Sequence, residues 1–325
     1  MRLTRRSFVV GAMAAPWLAR GRAAQAQNWP SGIIKIIVPF PPGGTVDPIA
    51  RMAQPGLQER LGATVIIENR PGASGSAGAS AAAKSAPDGN TWLFVFDTHA
   101  VNPFLQKLAF DTEKDLDPVV LIGTAPNILA AHPSRPYRTF AELVAAAKQK
   151  PDALTYASVG TGSVGHLTMV QLTKQAGIQM VHVPYRGGGP AMNDAIAGHV
   201  DLIIGSAALV MPQLTAATIR PILQTGKARM PSLPAVPTAI ESGFADFESY
   251  AWWGVFAPAG TPAPVIDRFG KALTETLRDP GIAKQISQTL QVNMLLGGPE
   301  EERKFLKAQM DLWGPVVKAN NIREE

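Results

Sequence analysis

Ile36-Ile-Val-Pro-Phe-Pro-Pro-Gly-Gly-Thr-Val-Asp-Pro-Ile-Ala-Arg51 reads as a buried strand that breaks at a Pro/Gly loop and re-forms as a helix. Ile33 to Val38 is a short, β-branched apolar run bounded by Pro39, as expected of a central strand. Pro41, Pro42, Gly43 and Gly44 end that strand, and the glycines allow close backbone approach to a ligand. Asp47 and Pro48 then fit N-cap and first helical residue, with Thr45 as the alternative cap. A helix N-terminus offers free N–H groups and partial positive charge, so such a loop suits an anion. Taken alone, the same stretch reads first as a plain strand-to-helix turn.

Residues 1–26 read as an export signal rather than as part of the fold. Arg2, Arg5, Arg6, Arg20 and Arg22 flank a modest apolar run, and Ala24-Gln25-Ala26 has the form of a cleavage site. Thr4-Arg5-Arg6-Ser7-Phe8 points to twin-arginine export, with the general secretory route as the alternative. The run is too short for a membrane anchor, which needs about 20 apolar residues. The segment carries five of the 30 basic residues and none of the 25 acidic ones, which leaves the remainder balanced at 25 against 25. The basic pI of about 9.5 therefore describes the whole chain, and the mature part has no cationic excess for nucleic acid or an anionic membrane. The absence of cysteine rules out disulfides, Cys-zinc sites, thiol nucleophiles and lipoprotein anchoring. A periplasmic protein without membrane insertion is expected, acting as a monomer.

Strand-like and helix-like patterns alternate through the rest of the chain, which predicts α/β layers over a mainly parallel sheet. Strands are expected at residues 64–68, 91–96, 119–123, 155–158, 180–184, 201–204 and 220–224. Helices are expected at 72–84, 139–150, 164–175, 190–197 and 300–313. Gly177 and Gly198 sit where helix C-caps belong, and Thr238-Ala-Ile-Glu241, of capping-box form, is expected to open a short helix. Residues 252–264, aromatic and then Pro/Gly-rich, read as a crossing between domains. Pro264 opens a helix with Val265, Phe269, Leu273 and Leu277 on one face. The simplest layout is a discontinuous first domain, 27–128 plus 251–325, with a second domain, 129–250, inserted in it. Ligands in such proteins sit at strand carboxyl ends between domains.

Four strand-to-helix loops are candidates for one cleft: the opening loop, Asp97–Asn102, Gly160–His166 and Tyr185–Pro190. Gly160-x-Gly162-x-x-Gly165 invites a dinucleotide reading, but the strand that should supply the acidic ribose partner ends in Val183-Pro184-Tyr185-Arg186. What survives is a glycine-rich helix start with Ser163 as N-cap. No Gly-x-Ser-x-Gly elbow occurs, and Ser163 with His166 lacks an orienting acid. The five histidines lack the paired spacing of a zinc site. No catalytic residue, metal or cofactor is therefore assigned. His166 is read as bracing its loop or touching a ligand, Arg186 as a ligand contact or a solvated charge, and Arg51 and Arg70 as ties between loops.

Val38-Pro-Phe-Pro-Pro-Gly-Gly-Thr-Val-Asp47, Glu68-Asn-Arg-Pro-Gly-Ala73, Pro87-Asp-Gly89, Gly160-Thr-Gly-Ser-Val-Gly-His-Leu167, His182-Val-Pro-Tyr-Arg-Gly187 and Ala257-Pro-Ala-Gly-Thr-Pro262 follow in order. In that order and spacing the chain resembles the periplasmic solute-binding receptors of tripartite tricarboxylate transporters, the Bug family. The resemblance implies a two-domain, periplasmic-binding-protein-like α/β fold, each domain a mainly parallel sheet flanked by helices, hinged around a central cleft. It implies capture of a small carboxylic acid and delivery to the membrane components of a tripartite transporter, and no enzymatic activity. Carried to this sequence, Phe40, Gly43, Gly44 and Thr45 would face Thr161, Gly162 and Ser163 across the cleft and hold one carboxylate. Asp47 would brace the first loop, and Thr98, Asn102, Tyr185 and Ser206 would line the variable part of the pocket. Ser74-Gly75-Ser76-Ala77 departs from the family pattern, which often has a second Gly and then Asn with a branched apolar residue. The alternatives are a ligand-presenting sensor and, with less support, a periplasmic hydrolase.

Overall fold

The computed structural model describes residues 29–324; the expected export signal lies outside them. The opening stretch forms β1 (Ile34–Val38) and α1 (Val46–Leu61), and β2 (Val65–Asn69) follows. A 3₁₀ turn (Ala73–Gly75), α2 (Ser76–Ala83), β3 (Thr91–Phe96) and α3 (Thr98–Leu105) complete the first βα series. Then come β4 (Leu116–Ala131), α4 (Phe140–Gln149), β5 (Thr155–Ser158), α5 (Val164–Ala176), β6 (Val181–Pro184) and α6 (Gly188–Ala197). The rest is β7 (Leu202–Ser206), α7 (Ala207–Thr215), β8 (Arg220–Gln224), β9 (Tyr250–Pro258), α8 (Ala263–Leu277), α9 (Pro280–Lys284), β10 (Asn293–Gly297) and α10 (Pro299–Ala319).

The strands run β2-β1-β3-β9-β4-β7-β5-β6, with β8 and β10 pairing to β4 off this path. Two parallel blocks, β2-β1-β3 and β6-β5-β7, are joined by antiparallel β9 and β4. The long strand β4 passes from one half to the other. Leu116 to Pro126 pair with β9, whereas Asn127 to Ala131 pair with β7 and Ile128 to Ala131 also with β8. Its prolines fall where a sheet tolerates them: the register shifts just after Pro118, and Pro126 ends the β9 ladder. Parallel strand ends in each half point their following loops toward the junction, where ligands of such sheets sit.

Two expectations change. The 252–264 segment is more than a crossing: β9 is a central strand with Trp252, Trp253, Val255 and Phe256 at most 1% exposed. Covered on both faces, it lacks the period-2 alternation that marks a half-buried strand. At Thr238 both capping-box bonds form, Glu241 N–H to Thr238 Oγ1 and Thr238 N–H to Glu241 Oε2, yet only turns follow. Gly243, at φ 98, ends the helical path after one turn. By contrast Val265, Phe269, Leu273 and Leu277 are all buried along one face of α8. Phe269 stacks on Trp92 at 3.7 Å in the core of the first half. Each such side chain contributes roughly 1.5–3 kcal/mol on burial.

Candidate functional site

The helix that opens after the first loop begins at Thr45, not Asp47: Thr45 is the N-cap of α1, and Asp47 lies inside its first turn. Asp47 Oδ1 accepts from Asn69 Nδ2 at 2.9 Å and Oδ2 from Arg51 Nε at 2.8 Å. Asn69 Nδ2 also donates to the Phe40 carbonyl, and Arg51 reaches Asn69 Oδ1. Arg70 pairs with Glu68. Loop 39–45 is thus tied to β2 through the side chains of Asp47, Asn69 and Arg51.

Across from this loop stands α6 rather than α5. A Cβ built on Gly43 would lie 3.7 Å from Gly189 Cα, and one on Gly44 3.8 Å from Gly188 N. Gly162 and Ser163, expected to face this loop across the cleft, do not lie within contact of Gly43 or Gly44. The reason is local. Gly162 donates its N–H to His166 Nδ1 at 3.1 Å and has Leu105 packed where a side chain would start. Ser163 is fully buried and caps α5, its Oγ accepting from His166 N–H at 3.3 Å. These donors are consumed within their own turn.

Three helix starts meet instead. Gly44, Thr45 and Asp47 of α1, Gly187 and Gly188 of α6 and Ser206 of α7 line one cavity of about 20 Å³, closed by Phe40, Phe96, Val159 and Leu209. Ser206 is the N-cap of α7, is 2% exposed, and its Oγ has no hydrogen-bond partner among the described residues. Thr45 Oγ1 accepts from Trp253 Nε1 at 3.1 Å. No lysine or arginine lines the cavity; its polarity comes from helix N-termini.

Phe40 and Val159 separate this cavity from a cleft of about 1100 Å³. Gly72 to Gly75 form one wall of the cleft, Gly160, Thr161, His166, His182, Tyr185 and Arg186 the other, and residues 321–324 its edge. Gly72, Ala73, Ser74 and Gly75 all have positive φ, from 44 to 139, and of these Ala73 and Ser74 are held in the left-handed region that side chains disfavour. Ser74 Oγ lies 3.1 Å from the Thr161 carbonyl and 2.8 Å from Glu324 Oε2, joining three distant segments. The departure from the family pattern therefore forms a contact between the walls. The sequence carries no signal for the C-terminal residues here; Tyr185–Pro190 is among its four candidate cleft loops, but Gly187 and Gly188 are not singled out as the opposing jaw.

Thr98 and Asn102 lie in α3, both buried, with Asn102 Nδ2 donating to the Ser74 carbonyl. They support the 72–75 wall from behind and do not line the large cleft. Tyr185 does line it, but its hydroxyl donates to Asp194 Oδ2 at 2.6 Å. Burial, with that bond, raises the phenol to about 12. Burial drives the two cleft histidines the other way, His166 to about 3 and His182 to about 4, so both are neutral. Among the described residues no group of His, Asp and Glu is placed to hold a metal, and no helix is long and apolar enough to cross a membrane.

With this geometry in view, known proteins share both sequence and shape. The family model for the tripartite tricarboxylate transporter family receptor matches residues 49–322. Protein BugT of Bordetella pertussis is 31% identical over 330 residues, covering 99% of each chain. A Rhodopseudomonas palustris structure with adipate is 30% identical with a TM-score of 0.86, covering 91% of this chain and 99% of that one. MatC from the same organism, with bound malate, is 30% identical with a TM-score of 0.82, covering 89% and 100%. The mixed α/β fold is that of periplasmic binding proteins. The chain belongs to the tripartite tricarboxylate transporter receptor family, the family of the Bug proteins.

Proposed function

We propose that the protein is a periplasmic solute-binding receptor that captures a small carboxylic acid between its two domains and delivers it to a tripartite transporter in the membrane. The observation that carries this reading is the convergence of the α1, α6 and α7 N-termini on one cavity, beside the partnerless Ser206 hydroxyl. Free N–H groups and aligned peptide dipoles stabilise a carboxylate without a full countercharge. The remainder of the ligand extends past Phe40 and Val159 into the large cleft. Relatives of similar shape were solved with adipate and malate, both dicarboxylic acids, which supports the ligand class.

On this reading Phe40, Gly44, Thr45, Gly188 and Ser206 hold the first carboxylate, Thr161 and Tyr185 border the rest, and Asp47 braces its loop. The domains are 27–128 with 251–325 and 129–250, and the protein acts as a monomer that hinges where β4 crosses the sheet. Calorimetry against mono-, di- and tricarboxylates tests the reading. Saturable binding of at least one acid, accompanied by a smaller radius of gyration in solution scattering, is expected. Binding of no acid defeats it. Loss of uptake of that acid on gene deletion separates delivery to a transporter from signalling.

A further inference from the structure

His166 and His182 stand face to face in one wall of the cleft, ring centroids 3.7 Å apart and planes within 9° of parallel. His166 lies in the first turn of α5, and its Nδ1 accepts the Gly162 N–H at 3.1 Å. An imidazole nitrogen that accepts carries no proton, so in the neutral ring the hydrogen sits on Nε2. Protonating Nδ1 as well would set N–H against N–H and break the Gly162 bond. On the far face, His182 Nε2 lies 2.7 Å from Ser158 Oγ, and that hydroxyl is in turn bonded to the Gly160 backbone. The pair is therefore clamped from both sides. One donor is left over: His166 Nε2–H, in a residue only 6% exposed that nevertheless lines the cleft, has no partner among the described residues.

We infer that His166 contacts the ligand, its Nε2–H donating to an oxygen of the bound acid beyond the carboxylate held at the helix N-termini. The preferred class is then an acid with a second oxygen acceptor, a dicarboxylate or an oxo- or hydroxy-acid, over a monocarboxylate with a plain alkyl chain. This rests on the acid-binding reading above and adds the second point of recognition. A neutral donor held in one tautomer selects an acceptor by position rather than by charge.

Two substitutions separate this role from loop bracing. His166→Asn puts Oδ1 near the position of Nδ1, keeping an acceptor for Gly162 N–H, but has nothing at the reach of Nε2. His166→Gln places an amide N–H near the position of Nε2 and loses the brace. Titration calorimetry with matched pairs (succinate and butyrate, glutarate and pentanoate, adipate and hexanoate) then reads the preference for the second acceptor. The wild type binds the diacid of at least one pair more tightly. H166N weakens that diacid about 10- to 100-fold, as expected for a lost hydrogen bond to a charged group, and leaves the monoacid nearly unchanged, while H166Q keeps most of the preference. An unchanged preference in H166N, or an equal loss in H166Q, overturns the inference. If H166N fails to fold, the wild type still decides: the His166 Nε2–H resonance shifts on adding the diacid, and an unmoved resonance overturns it. A wild type that binds no acid of any pair instead defeats the underlying binding reading, and is recognised without any variant.

Discussion

Asp97 Oδ1 accepts a hydrogen bond from the backbone N–H of Val164 at 3.2 Å, so a buried carboxyl before α3 caps the start of α5 in the other half of the molecule. Asp97 is 1% exposed and its second oxygen has no partner among the described residues. Burial raises its pKa well above the ordinary range, only partly offset by the Val164 and Thr98 N–H groups. The contact joins the two halves, and it occupies the α5 N-terminus that the sequence had suggested for the ligand.

Asp97→Ala is therefore expected to lose stability and closure together. It leaves Val164 N–H buried without an acceptor, a loss of about 1–3 kcal/mol. Asp97→Asn retains an acceptor and most of that stability. Urea titration and solution scattering on the two variants check this. An alanine variant as stable and as compact as the asparagine variant contradicts the latch.

Ser206→Ala should behave in the opposite manner. Its buried Oγ has no hydrogen-bond partner among the described residues, so its removal should not lower stability and should raise it by up to about 1–3 kcal/mol. Affinity for the acid should fall about 10-fold or more, because a donor to a carboxylate is removed. Equal affinity in both proteins would move the carboxylate away from the α7 N-terminus.

The parts of this site legible in the sequence were those written in local chemistry. Pro41 to Gly44 ended β1 as read, Ser163 capped α5, and Gly177 and Gly198 took the left-handed C-cap positions. What was not legible depended on which loop meets which. The Gly160 loop has the residues of an anion site, yet His166 and Asp97 use its N–H groups, and nothing near Gly160 in sequence announces Asp97. The jaw opposite Gly43 fell to Gly188 and Gly189 because β7 places α6 and α7 side by side at that sheet end. Strand β9 was obscured by burial on both faces.

Ser74 sits at φ 50 with its hydroxyl against the Thr161 carbonyl and Glu324. Two substitutions separate backbone from side chain. Ser74→Ala keeps the left-handed strain and loses the hydroxyl bonds, whereas Ser74→Gly loses the bonds but adopts this φ freely. The glycine variant should be the more stable of the two by about 1 kcal/mol, while both close less firmly than wild type. Thermal unfolding ranks them, and an alanine variant as stable as the glycine variant would remove the strain argument.

Glu302, in the first turn of α10, is fully buried against Gly254, and neither carboxyl oxygen has a partner among the described residues. Burial raises its pKa well above 4.5, despite a helix N-terminus that favours the anion. A raised folded-state pKa means that the folded protein holds a proton the unfolded chain releases. Its contribution is complete below the ordinary carboxylate range and is lost as pH rises through the folded value. Glu302→Gln presents a similar neutral group at every pH. The variant should match wild type near pH 4 and become the more stable as pH rises, the gap growing by at most about 1.4 kcal/mol per pH unit. His99, His166 and His182 are depressed and destabilise toward acid below about 6.5. They are present in both proteins and cancel in the difference. Denaturant unfolding at pH 5 and pH 8 measures the gap, and equal gaps at the two values would show that Glu302 is ionised and paired in the folded protein.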